Sequence, residues 1–167
     1  MAAPVEGGVA EPKEWVAVTD WSNPETVTML ITEYEFQPSR LVFEAGKPYR
    51  LKIINRGAFK HTFNSDGFFK SIAVRHLEAA SGKTLLPVIG RLVFEPDEEK
   101  NMVFVALKTG EHKLECLSLL HSPLGPWAAT GSIVVQSIYP GAALVSPAGI
   151  QAFDHDAVGV LGMNQPA

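Results

Sequence analysis

Only one cysteine, Cys116, occurs in the 167 residues, so no intramolecular disulfide can form and this side chain acts as a thiol or thiolate. A basic excess is also lacking. Against 18 acidic residues stand 14 basic ones, and the net charge of -4 argues against a general nucleic-acid binder. The opening Met1-Ala2-Ala3-Pro4-Val5-Glu6-Gly7-Gly8 lacks the basic and apolar regions of a secretory signal. It is read either as a cytoplasmic start or as a mature form carrying an initiator methionine. Between Cys116 and Phe153 there is no Asp, Glu, Lys or Arg. A membrane helix needs roughly 20 unbroken apolar residues. Here Pro123, Pro126, Pro140 and Pro147 break the stretch, so the segment reads as uncharged rather than spanning.

What is present suits one domain with a sizeable core: 46% of residues are hydrophobic. A mean hydropathy of +0.09 excludes a mostly disordered chain. Residues 1–13, rich in Ala, Gly, Pro and Glu, are expected to form a flexible tail; 14–136 form the domain and 137–167 a carboxy-terminal extension. Within the domain, short strand-like runs recur between turn signals. Residues 26–36 are rich in β-branched side chains, and 41–44 form a short run. In 49–55, Tyr49, Leu51 and Ile53 alternate with Arg50 and Lys52. The apolar run 102–107 reads as a strand buried on both faces. In 111–116 alternation is strict, with His112, Leu114 and Cys116 on one face. Residues 133–135 complete the set. Turns are expected at Pro38, Gly46-Lys47-Pro48, Asn55-Arg56-Gly57 and Lys108-Thr109-Gly110. Residues 68–80 fit either a short helix or a strand, and 137–167 hold no convincing element beyond 157–161. The pattern predicts an all-β chain folded as an antiparallel sandwich or barrel.

The chemistry-bearing segment runs from Gly110 to His121. Its strand ends at Cys116, and His121 follows five residues later. Far upstream another strand ends at Asn55, followed by His61-Thr62-Phe63. One thiolate and two imidazoles delivered by separate strand ends suit a trigonal copper site. Thiolate is soft and favours Cu(I), whereas imidazole accepts both oxidation states.

This arrangement resembles the cupredoxins, small blue-copper proteins built as a Greek-key β-sandwich. The resemblance covers about residues 26 to 136. It rests on Phe36-Gln37-Pro38, Ala45-Gly46-Lys47, Asn55, His61-Thr62-Phe63, Gly110, Cys116, His121, Gly125, Gly131 and Ile133. It implies His61, Cys116 and His121 as equatorial ligands of one copper ion, one-electron transfer without further catalytic residues, and a periplasmic location. The family's usual axial methionine follows a glycine shortly after the second histidine. Here Gly125 is followed by Pro126 and Trp127, neither of which offers copper a side-chain lone pair. Met102 lies in the wrong strand, and Met163 could reach only if the tail folded back. A three-coordinate site, an open site taking water or an exogenous ligand, and a decayed site are the three alternatives.

The remaining histidines, His76, His112 and His155, are expected to be structural or solvated. Zinc is unsupported, since four ligands at its usual spacings are missing. A multicopper oxidase within this single chain would need several His-x-His pairs, and the five histidines include none. No nucleophile elbow suggests a hydrolase. A copper-delivery protein with an exchangeable site and a metal-free interaction module are the competing functions. The uncharged residues Leu119, Leu120, Pro123, Leu124, Pro126, Trp127 and Ala128 around His121 are expected to form an apolar docking face for a redox partner, unless the tail packs over them.

Overall fold

The computed structural model describes residues 11–33, 35–117 and 129–138, together with the backbone of 144–145 and 151–152. Helix α1 (Pro12–Val18) is followed by β1 (Glu25–Ile31), β2 (Phe36–Gln37), β3 (Arg40–Glu44), β4 (Pro48–Asn55) and β5 (His61–Phe63). A single helical turn, α2 (Asp66–Phe69), leads into β6 (Ile72–Ala79), β7 (Gly82–Leu85), β8 (Leu92–Phe94), β9 (Glu99–Ala106), β10 (Gly110–Glu115) and β11 (Thr130–Gln136). Two short strands, β12 (Leu144–Val145) and β13 (Gln151–Ala152), pair with each other in the segment expected to lack elements there. The expected element at 157–161 lies outside the described residues.

Two layers enclose one core. The first is a six-stranded sheet in the order β2-β1-β4-β9-β6-β7; the second contains β10-β11-β3 and the β5-β8 pair. Met29, Leu51, Ile53, Met102 and Phe104 from the first layer meet Phe43, Phe63, Phe94, Leu114 and Ile133 from the second in a single buried cluster. The expected β-sandwich is therefore present, but it is not purely antiparallel. β1 runs parallel to β4, and β3 parallel to β11. The reason is a Greek-key crossing between layers, visible at Ala45 and Gly46. Ala45 N–H donates to Gln136 O in the second layer, at 2.8 Å, and Gly46 N–H donates to Ala106 O in the first, also at 2.8 Å. Gly46 has φ 86, a left-handed conformation that glycine adopts without steric cost. Glu44 N–H donates to the Tyr49 hydroxyl at 2.8 Å, holding this crossing closed.

Residues 68–80 form mainly strand rather than helix. β6 pairs with β9, but its register shifts between Val74 and His76, a β-bulge. Val74 lies opposite Phe104, and Leu77 opposite Met102. The inserted residue moves the inward positions from a spacing of two to a spacing of three, which imitates helical periodicity. The helical turn falls just before, at α2, where Phe68 packs against Phe43 and Phe104 with ring centroids 5.6 and 5.5 Å apart.

β9 is buried on both faces from Met102 onward, as its apolar run predicts. Its inward residues join the main core, while Val105 and Leu107 pack outside the sheet with Ala73 and Trp15. Trp15 belongs to α1, which begins at Pro12 and so takes up the end of the expected tail. Proline suits a helix's first turn because the missing N–H would have no intrahelical partner there. Trp21 closes the same patch, donating from Nε1 to Val16 O at 2.8 Å and lying 5.2 Å from the Arg75 guanidinium. Truncating Trp15 to alanine is expected to destabilise the fold by about 3 kcal/mol through lost burial and the cavity left behind. A urea titration should show the lower midpoint.

Candidate metal centre

The site begins with Asn55, fully buried at the end of β4. Its side-chain amide donates to Phe59 O at 2.8 Å and to Glu95 O at 3.0 Å, with Phe94 O at 3.3 Å. Its Oδ1 accepts from Gly57 N–H at 2.9 Å. One side chain thus ties the 56–60 loop to the turn that follows β8. Gly57 lies close over the imidazole: a Cβ built there would stand 2.7 Å from His61 Nε2. Glu33, from the loop after β1, accepts from Ala58 N–H and places Oε1 4.0 Å from His61 Nε2. The Ala58 hydrogen bond holds its carboxyl below the ordinary range.

His61 opens β5, opposite Phe94 of β8, and is fully buried. On the other side, β5 is joined to β10 by paired bonds between Asn64 and Glu115, each 3.0 Å long. The alternation along β10 turns Leu114 and Cys116 inward, and Cys116 N–H donates to Ala129 O at 3.1 Å. These constraints bring Cys116 Sγ to 3.6 Å from His61 Nδ1. Thr62 lies between the two strand ends. Its backbone N–H points to the sulfur at 3.3 Å, and its hydroxyl oxygen accepts from Leu117 N–H at 2.8 Å.

A thiolate and an imidazole bonded to one ion at about 2.3 and 2.0 Å stand roughly 3.5 to 3.7 Å apart at an angle near tetrahedral. The observed 3.6 Å separation fits that span. His61 and Cys116 are therefore suited to hold one soft or borderline transition metal between them. Among the described residues, no three His, Cys, Asp or Glu side chains gather into a metal site. His121 lies outside the described residues, as do Leu124, Gly125, Trp127, His155 and Met163. Met102 is buried in the core on β9.

The two other described histidines lie elsewhere. His112 Nε2 meets Ser71 Oγ at 3.2 Å, with its ring beside Phe68. His76 Nε2 lies 3.1 Å from Glu78 Oε1 on the outer side of the sheet. Sequence reasoning missed Glu33, Gly57 and the side-chain role of Thr62. Glu33 carries no local signal, because only the tertiary fold brings its carboxylate to His61.

No protein-family model matches the sequence, and no curated protein matches it. Solved structures do resemble the fold. A multi-copper oxidase from Pseudomonas thermotolerans superposes with a TM-score of 0.55 and 14% identity over 70% of this chain and 31% of that one. A copper nitrite reductase from Nitrosomonas europaea gives 0.53 and 9% over 72% and 52%, respectively. A multicopper oxidase from Campylobacter jejuni, a metallo-oxidase, gives 0.51 and 14% over 70% and 31%. The chain spans about a third to a half of these proteins' length. At such identities the likeness concerns the fold, a cupredoxin-like β-sandwich.

Replacing Asn55 with alanine removes the partner of a backbone N–H and of carbonyls in two loops. The expected cost is about 2–4 kcal/mol, since unpaired buried polar groups retain their desolvation penalty. Chemical denaturation should show it. A pH titration tests the structural histidines. Burial, aided at His76 by the Lys83 charge, holds His76 and His112 below the ordinary imidazole range. Each therefore takes up a proton more readily once unfolded, so stability should fall as pH drops below about 6.5. His112→Gln should flatten that decline in denaturation midpoints measured between pH 7 and 5.

Proposed function

We propose that this chain is a mononuclear copper protein that carries single electrons, with His61, Cys116 and His121 as its protein ligands. The observation that carries the reading is the buried His61 Nδ1 to Cys116 Sγ separation of 3.6 Å. A soft sulfur and an imidazole on fixed strand ends favour copper over harder ions. The three fold neighbours are copper proteins by name, which supports the choice of metal.

Copper, when bound, supplies one-electron exchange between its Cu(I) and Cu(II) states. The chain's own residues supply position. Asn55 fixes the 56–60 loop, Gly57 leaves room for the imidazole, and the Asn64–Glu115 bridge fixes the spacing of β5 and β10. Donors held this firmly need little rearrangement when charge changes. No general acid, base or nucleophile belongs to this reading; the protein is a carrier rather than an enzyme.

The partner is a redox protein docking near His121, Leu124 and Trp127. Phe59 and Leu117, both 52% exposed, follow the same logic: each stands within two residues of a proposed ligand and would extend an apolar rim. A periplasmic or equivalent extracytoplasmic compartment completes the proposal. Copper delivery is the alternative. Burial of His61 and Cys116, at 0% and 1% exposure, favours retention over exchange.

Adding Cu(II) to the apo-protein should produce an intense visible sulfur-to-copper charge-transfer band, absent in Cys116→Ser. No cysteine-dependent band would overturn the copper reading. Through repeated reduction and oxidation beside a chelator, a carrier should keep its copper, whereas a delivery protein should lose it.

A further inference from the structure

The side chain of Thr62 is bonded in a way that fixes the direction of its proton. A hydroxyl has one proton and two acceptor lone pairs. Leu117 N–H and Asn64 Nδ2 both donate to Thr62 Oγ1, each at 2.8 Å. Neither group can accept in return. With both lone pairs engaged by donors, the hydroxyl proton is left to a third direction, where Cys116 Sγ lies 3.8 Å away. Thr62 is 7% exposed, so solvent scarcely competes for that proton.

We propose that the Thr62 hydroxyl donates a second hydrogen bond to Cys116 Sγ, beside the Thr62 backbone N–H, and thereby sets the electron density on this sulfur. Thr62 is a positioning and tuning residue, not a ligand. Its oxygen orients Leu117 through the amide that it accepts, while its proton faces the sulfur. Asn64 contributes indirectly: its amide occupies a lone pair, and its backbone bonds to Glu115 fix the strand spacing. Hydrogen bonds to an anionic sulfur stabilise it most where its charge is least shared with a metal. They therefore favour the reduced state and raise the reduction potential, one of the recognised levers on such centres.

The inference rests on the copper reading for its redox consequence, but the hydrogen bond itself can be read in the metal-free protein. Thr62→Val keeps the shape and the backbone N–H while removing the hydroxyl; Thr62→Ser keeps the hydroxyl. In copper-loaded protein, Thr62→Val should retain the cysteine-dependent band yet shift the oxidised-to-reduced ratio at fixed ambient potential roughly tenfold toward oxidised, on the scale of a hydrogen bond to a charged group. Thr62→Ser should stay near the parent. A Thr62→Val protein with the parent's potential would overturn the proposal.

Nuclear magnetic resonance of the unsubstituted apo-protein supplies the independent arm, and it also serves if Thr62→Val fails to fold. An exchange-protected Thr62 hydroxyl proton should show cross-relaxation to the Cys116 β-protons. A hydroxyl proton directed elsewhere would overturn the proposal. Failure of the copper reading is distinguishable: the parent would show no cysteine-dependent band while the apo-protein signal remained.

Discussion

The candidate site depends on a bridge of two hydrogen bonds. β5 has only three residues and is held on one side by β8. Its other side reaches β10 through the isolated Asn64–Glu115 bridge. That pairing fixes how far along β10 the β5 residues stand, and so which side chain faces Cys116. A slip of one residue would exchange inward and outward side chains, because successive strand residues point to opposite faces. His61 would then turn away from the sulfur that it now meets at 3.6 Å. The bridge is short, so the flanking loops must secure it. Asn55 does this on the β5 side by fastening the 56–60 loop, and Thr62 fastens the start of the chain after β10.

Such fastening follows from placing polar atoms in an apolar interior. Phe36, Phe63 and Phe94 are buried in the same cluster as Cys116. In that medium an unmatched donor or acceptor costs more than a hydrogen bond returns. Asn55 and Thr62 therefore engage both donor and acceptor functions, each linking segments far apart in sequence. A satisfied network of this type resists movement, because displacing one member would strand several others. Stability and fixed donor geometry thus have a common origin. The same network would keep structural rearrangement small during electron exchange.

Much of this was legible where one residue's environment repeats along a strand. Alternation in β4 and β10 and the apolar run in β9 identify their faces, and the position of Cys116 follows from its parity with Leu114. The Cys116 context likewise indicates a strand end, whereas His61 opens a separate short strand, β5, that the sequence pattern does not announce. Other features depend on contacts that leave no local pattern. The bulge between Val74 and His76 changes parity and imitates a helix. Helix α1 has only seven residues, and its placement depends on Trp15 meeting Ala73, Val105 and Leu107 across the sheet. The parallel pairs arise from layer crossing, not from any property of β1 or β3 alone. Glu33 and the Thr62 hydroxyl acquire roles only once distant loops meet.

The fold does not by itself choose among copper functions, since related architectures can support different chemistry. The histidine inventory is more discriminating. His76 interacts with Glu78, and His112 packs between Ser71 and Phe68, each away from the His61–Cys116 pair. Of the chain's five histidines, that leaves His61, His121 and His155. One mononuclear centre would use His61 and His121, leaving too few imidazoles for a cluster built from several His-x-His pairs. An electron carrier needs no such second centre: its work consists of holding one ion while its charge changes. The sparse donor set and the heavily braced strand ends are both in keeping with the carrier role proposed above.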